Sequence, residues 1–146
     1  MLTPVTVNES GMVYLACPYS HESAEVRRQR FERANLAAAK LMSEGHYVFS
    51  PISHSHPILE SGNLPTEWSY WQNFCRLHLR NCYAIMILRL LGWESSIGIK
   101  EELTLSFESN RSVCFLDEDY GVGTSKSELF WASYGQTNIE ARSERA

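Results

Sequence analysis

The sequence of 146 residues lacks a long apolar run, an excess of positive charge and a closely spaced cysteine pair. Its apolar runs are far shorter than the about 20 residues of a membrane-spanning helix, and its first residues lack the charged-then-apolar order of a signal peptide. A formal net charge of −4 provides no basic field for duplex nucleic acid. We therefore expect a cytoplasmic protein that binds neither a membrane nor duplex nucleic acid.

The cysteines and histidines do not form a metal-binding pattern. The four cysteines are Cys17, Cys75, Cys82 and Cys114. They have no CxxC spacing, and two of them lie in apolar, strand-like runs. This pattern favours reduced, packed thiols over disulfides or zinc ligands. His54 and His56 lie in one stretch without a carboxylate ligand beside them, so we expect no metal and no cofactor.

Short apolar runs alternate with helical patterns along the chain. Strands are predicted at 12–17, 47–49, 84–88 and 113–116, and helices at 23–44, 66–81 and 96–109. The polar stretch 52–65 is predicted to be a loop, and Leu129 to Trp131 with Tyr134 a short last helix before a frayed tail. Alternating strands and helices indicate βαβ units. We predict one domain with an α/β fold, a three-layer α/β/α sandwich that is flavodoxin-like or Rossmann-like, with a parallel sheet of four or five strands.

The stretch 92–102 directly follows the apolar run 84–88 and opens a helical pattern. Ligands of parallel sheets bind beyond the carboxyl ends of the strands, so this stretch lies where a site is expected. Ser96 can cap the helix, Gly98 lets a ligand approach the backbone, and Glu102 shares the helix face of Gly98. The alternative is a capped helix whose glutamates are solvated.

Three segments at the predicted strand ends carry a further pattern: 14–20, 50–57 and 92–102. Together they resemble the nucleoside 2-deoxyribosyltransferase-like family, which includes 2′-deoxynucleoside 5′-phosphate N-glycosidases. The resemblance implies a homodimer that cleaves a nucleotide or nucleoside. The family's nucleophile, a glutamate four residues after a glycine, matches Glu102, and the tyrosine that orients it matches Tyr14. A carboxylate can attack the anomeric carbon to give a covalent glycosyl-enzyme. Tyr14 is alternatively a core aromatic residue.

The resemblance also implies a set of substrate contacts. Ser96 stands where the family's nucleotide hydrolases have serine and its transferases have aspartate. A serine hydroxyl at a helix N-terminus favours a 5′-phosphate, although Ser96 could be a plain helix cap. The other expected contacts are Tyr19 and Ser20 on the first loop, and His54, His56 and Trp71 around the base. Ser125, after the fourth strand, is expected to reach the site of a neighbouring subunit.

One position departs from the family. Cys75 stands where the family has an aspartate that assists departure of the base, and a thiol is a poor proton donor for that step. Other side chains could replace it: His54, His56, Glu67 and Glu94. Two functions besides the nucleotide N-glycosidase therefore stay open, a nucleoside transferase and a nucleotide-binding protein with little activity.

Three arginines early in the first predicted helix oppose the helix dipole: Arg27, Arg28 and Arg30. A bound phosphate would explain them. The alternative is a solvated helix face on which Glu22 and Glu25 neutralise their charge.

Overall fold

The computed structural model describes residues 11–123 and the backbone of a further strand at 129–132. A 3₁₀ turn, Trp93–Ser95, precedes the last helix. In chain order the elements are β1 (Val13–Ala16), α1 (Ala24–Ser43), β2 (Val48–Phe49), α2 (Pro51–Gly62), α3 (Trp68–Arg80), β3 (Ala84–Leu88), α4 (Ile97–Glu108), β4 (Ser112–Leu116) and β5 (Leu129–Ala132).

The strands form one sheet in the order β2-β1-β3-β4-β5. The first four strands are parallel, and β5 is antiparallel to β4. This arrangement confirms the predicted three-layer, Rossmann-like α/β fold. From β1 the chain passes to one side for β2 and then to the other side for β3. Such a change of direction opens a crevice at the carboxyl ends of the two central strands, β1 and β3.

Each face of the sheet has its own core. Successive strand residues point to opposite faces, so uninterrupted apolar strands supply both cores. On one face Leu15 packs in a cluster with Leu41 of α1. On the other face Ile85 packs in a cluster with Leu79 of α3 and Leu103 of α4. None of these residues is more than 1% exposed, so tight packing holds α1 against one face of the sheet and α3 and α4 against the other.

The prediction of a loop at 52–65 is wrong, because most of this stretch is the helix α2. The Ser50 hydroxyl accepts a hydrogen bond from the Ser53 amide (3.1 Å), and Pro51 occupies the first helical turn, where proline is favoured. Asn63 ends the helix in the left-handed conformation, with φ of 51°. The polar, histidine-rich composition of this stretch favours a loop, and the loop prediction gave these helix start and stop signals too little weight.

The prediction of a last helix at Leu129 to Trp131 is also wrong. These residues belong to β5, which pairs Leu129 with Leu116 and Ala132 with Val113. A short apolar run has no decisive periodicity, and the free edge of β4 offers it backbone hydrogen bonds. Tyr134 and the predicted frayed tail lie outside the described residues.

Two smaller expectations concern thiols and the membrane. All four cysteines are buried as unoxidised thiols, as the sequence predicts. Among the described residues, none of the helices has the length and apolar character needed to span a membrane.

Candidate active site

A cavity of about 480 Å³ opens at the crevice formed where the strand order reverses, at the carboxyl ends of β1 and β3. Its walls come from the loop after β1, from α2, from the beginning of α3 and from the first turns of α4. This volume is within the range of small-molecule sites. The cavity brings together eight residues that the sequence predicted as site residues: Tyr19, Ser20, His56, Trp71, Cys75, Ser96, Gly98 and Glu102.

Glu102 lies on α4 at the inner end of the cavity, and only 6% of it is exposed. Its Oε2 accepts a short hydrogen bond from the hydroxyl of Tyr14. Burial raises the pKa of Glu102 to about 8, the hydrogen bond from Tyr14 acts in the opposite direction, and the charge of Glu101 raises the pKa further. Tyr14 is fully buried, and its hydroxyl contacts this carboxyl group through that hydrogen bond.

The N-terminus of α4 forms a second wall. The hydroxyl of Ser96 accepts a hydrogen bond from the amide of Ile99 (3.3 Å), so Ser96 is a helix cap that also lines the cavity. At Gly98 an added Cβ would lie 3.0 Å from Cε3 of Trp68. The close approach for which the sequence suggested a ligand is therefore made by this indole ring.

Two tryptophans of α3 line the cavity near Glu102. The indole nitrogen of Trp71 donates to the carbonyl oxygen of Pro65 (2.8 Å), and that of Trp68 donates to Oε2 of Glu101 (2.5 Å). Each ring is therefore held in place through its polar edge.

Cys75 lines the cavity close to Glu102 and Tyr14. Burial, followed by the nearby charge of Glu102, raises the pKa of this thiol to about 12. At neutral pH the thiol keeps its proton and is a weak acid. Cys17, which also lines the cavity, has a pKa raised to about 12 for the same two reasons.

The two histidines of α2 have different environments. His56 lines the cavity, its Nδ1 lies 2.7 Å from the hydroxyl of Tyr19, and its ring stacks on Phe31 with centroids 4.3 Å apart. Burial lowers the pKa of His56. His54 is not among the residues that line the cavity; its ring stacks against Phe74 at 5.6 Å.

The arginines of α1 also differ. Arg28 pairs with Glu25 and Glu32 on an exposed face, which is the solvated arrangement. Arg30 instead lines the cavity, where it donates to the carbonyl oxygens of Ser20 (3.2 Å) and Leu91 (3.1 Å). Among the described residues, it is the only lysine or arginine that does so. In the sequence the three arginines of this helix are equivalent, and nothing in it selects Arg30.

Gly92 lies beside this guanidinium. It has φ of 93°, and an added Cβ would lie 3.0 Å from Nη2 of Arg30. The absence of a side chain therefore permits both the left-handed backbone conformation and the close approach of the Arg30 guanidinium.

Two further expectations concern Ser125 and a metal site. Ser125, expected to contact a neighbouring subunit, lies outside the described residues. Within residues 11–123 the structure contains no group of three or more His, Cys, Asp or Glu side chains that could hold a metal ion.

Residues 11–118 match the family described as "Domain of unknown function (DUF1937)". The chain belongs to this family. The match begins before β1 and ends after β4, so it includes every residue that lines the cavity. No curated protein matches the chain.

Proposed function

We propose that the protein is an N-glycosidase that cleaves the bond between base and sugar in a (deoxy)nucleoside 5′-monophosphate. The observation that carries this proposal is Glu102, a buried carboxyl group that opens onto the cavity and accepts a hydrogen bond from Tyr14. Cleavage with a covalent intermediate requires a carboxylate nucleophile held in one orientation. The family resemblance described above assigns the same two residues.

The reaction is a double displacement. An oxygen of the Glu102 carboxylate bonds to C1′ of the sugar as the bond from C1′ to the base nitrogen breaks. The electron pair of that bond leaves with the base, which takes up a proton. Water then bonds to C1′ and gives a proton to the group that protonated the base, the bond to Glu102 breaks, and a sugar phosphate is released. Because only the ionised carboxylate can attack, we expect the rate to rise with pH until Glu102 ionises, near a pKa of about 8.

The proton for the leaving base needs a donor other than Cys75, whose pKa of about 12 makes it too weak. Four replacements follow from the sequence, and two of them line the cavity, His56 and Glu67. His56 is engaged with Tyr19 through Nδ1, and its Nε2 lies 3.6 Å from Glu60. This leaves Glu67, at the beginning of α3, as the favoured donor in the proposed mechanism.

The preference for a 5′-phosphate rests on the chemistry of the cavity mouth. Arg30 supplies a positive charge, and the first turn of α4 supplies free backbone amides behind Ser96. Among the described lining residues, Glu67 and Glu102 are the only carboxyl groups. A neutral nucleoside would leave the guanidinium of Arg30 without a negative partner in the ligand, so a monophosphate should bind more tightly.

Incubation with a panel of nucleosides and their 5′-monophosphates, followed by analysis of products, tests the proposal. We expect free base and sugar phosphate from a monophosphate. Glu102→Gln should abolish base release because an amide cannot act as the nucleophile. Glu108→Gln, an equal charge change on the exposed face of the same helix, is the matched control and should keep wild-type activity. Base release that survives Glu102→Gln would refute the assignment.

The same panel separates the other candidate functions. Exchange of one base for another, with a second base as acceptor, would identify a transferase. Tight binding without any product would identify a nucleotide-binding protein, as the thiol of Cys75 in place of an acid suggests. The proposal includes a homodimer, which sedimentation of the protein tests directly.

A further inference from the structure

Glu101, the neighbour of the proposed nucleophile, is engaged by two side chains of another helix. Its Oε2 accepts hydrogen bonds from the indole nitrogen of Trp68 (2.5 Å) and from Nη2 of Arg76 (2.9 Å). Both donors belong to α3, whereas Glu101 belongs to α4. The carboxylate therefore ties α3 to the first turns of α4.

Trp68 is held on two sides by α4. Its ring packs against Gly98, where an added Cβ would lie 3.0 Å from Cε3 and 3.3 Å from Cζ3. Its nitrogen donates to Glu101 on the same helix. Gly98 and Trp68 both line the cavity. A ring that is supported over its face and anchored at its edge keeps one orientation, and an anchored ring loses little conformational entropy when a ligand stacks on it.

The hydrogen bond from Trp68 to Glu101 is stronger than one between two neutral groups. An indole donor that meets a carboxylate forms a charge-assisted hydrogen bond, and Arg76 balances the negative charge of Glu101 at the same oxygen. The side chains of Arg76 and Glu101 are each 38% exposed, so this ion pair alone would contribute little. Its effect on the site comes from the orientation that it gives to Trp68.

We propose that Glu101 is a positioning residue, which fixes the indole of Trp68 as the wall on which the planar base of the ligand stacks beside Glu102. This inference rests on the proposed function only for the class of ligand, a nucleotide. It assigns to Glu101 a function distinct from that of the adjacent nucleophile.

Three substitutions separate anchoring from charge. Glu101→Gln keeps an oxygen that can accept the indole hydrogen bond but removes the charge. Glu101→Leu removes both and keeps a similar volume. Trp68→Phe keeps an aromatic ring on Gly98 but has no nitrogen to donate, and it identifies the Trp68 signal among the four indole signals in an NMR spectrum of the protein.

The first measurement needs no ligand. In the ¹H–¹⁵N spectrum, the indole signal of Trp68 should keep its position and slow exchange with water in Glu101→Gln. In Glu101→Leu it should shift, and exchange should be faster by about tenfold or more. An unchanged signal in Glu101→Leu would overturn the proposal.

The second measurement is the dissociation constant for each of the four deoxynucleoside 5′-monophosphates, by calorimetry. Stacking on one aromatic ring contributes about 1–3 kcal/mol, so loss of its anchor in Glu101→Leu should weaken binding by about tenfold. Glu101→Gln should stay within about twofold of the wild type. In a Trp68→Phe background, Glu101→Leu should have no further effect, because the anchored nitrogen is already absent.

The outcomes distinguish this inference from the proposed function. If the wild type binds a monophosphate and Glu101→Leu binds it equally well, the positioning role is overturned. If binding follows the expected pattern but no base is released, the glycosidase is overturned and the positioning role stands. If the wild type binds none of the four deoxynucleotides and none of their ribonucleotide counterparts, measured in the same way, both are overturned.

Discussion

Glu102→Gln should change how the free energy of unfolding depends on pH. The pKa of Glu102 is 4.5 in an unfolded chain and about 8 in the folded protein, chiefly because of burial. Below pH 4.5 the group is neutral in both states. Between pH 4.5 and about 8 the carboxyl group is ionised in the unfolded chain but neutral in the folded protein, so rising pH lowers the free energy of unfolding of the wild type. This loss stops when the folded group also ionises. Glutamine is neutral throughout and has no such loss.

The size of the effect follows from the same values. At about 1.4 kcal/mol for each pH unit, the span from 4.5 to about 8 corresponds to about 5 kcal/mol. Because Glu102 borders an open cavity, the full value is an upper limit, and we expect the stability difference between variant and wild type to grow by about 2–5 kcal/mol. That is a large fraction of the about 5–15 kcal/mol that stabilises a typical domain.

Urea unfolding followed by circular dichroism, at about pH 5 and about pH 8.5 on either side of the ionisation, measures this difference. The amide of glutamine needs its own hydrogen-bond partners, which changes stability equally at both pH values. Lowered histidine pKa values act on stability in the opposite direction, but they are shared by both proteins and cancel. Glu108→Gln should follow the wild-type curve. Parallel curves for Glu102→Gln and wild type would refute the burial argument.

Three further predictions concern activity and binding. Tyr14→Phe removes the hydrogen bond that lowers the pKa of Glu102, so the midpoint of the pH–rate profile should move to higher pH; an unmoved midpoint would show that Tyr14 does not act on the nucleophile. Cys75→Asp puts a carboxyl group where the resembled family has its acid, so it should raise the rate of base release above that of the wild type, by up to the 10²–10⁴-fold typical of a well-placed general acid; an unchanged rate in the folded variant would show that this position does not act on the leaving base. Ser96→Asp should weaken monophosphate binding by at least ~1 kcal/mol and leave nucleoside binding nearly unchanged, since only the phosphate is repelled; calorimetry with both ligands measures this, and equal losses would contradict it.

The sequence predicts most of the fold because its signals are local and mutually consistent. Ser23, Gly45 and Ser96 mark helix ends by chemistry that needs no tertiary information, and the structure has them in these positions. The two errors have different causes. In the stretch 52–65 the local helix signals are present at Ser50 and Asn63, but the polar composition favours a loop. At Leu129 to Trp131 the short run has no decisive periodicity, and its strand depends on pairing with the distant β4.

The candidate site was partly predictable for a similar reason. Glu102 and Ser96 follow a buried strand directly, so their placement at the sheet edge could be inferred. Arg30 could not be selected from the arginines of α1, because its role depends on the carbonyl groups of distant Ser20 and Leu91. The engagement of Gly98 by Trp68 likewise depends on how α3 packs against α4.

The reversal of strand order, which places β2 and β3 on opposite sides of β1, has a consequence for how this protein can change. The crevice at the ends of β1 and β3 is produced by the path of the backbone, and the apolar layers that stabilise the sheet lie beneath it. Side chains at the rim, such as Ser20, Glu67 and Ser95, are exposed and take no part in those layers. They can therefore be exchanged at little cost in stability, and related chains could acquire new ligand preferences while the scaffold stays intact.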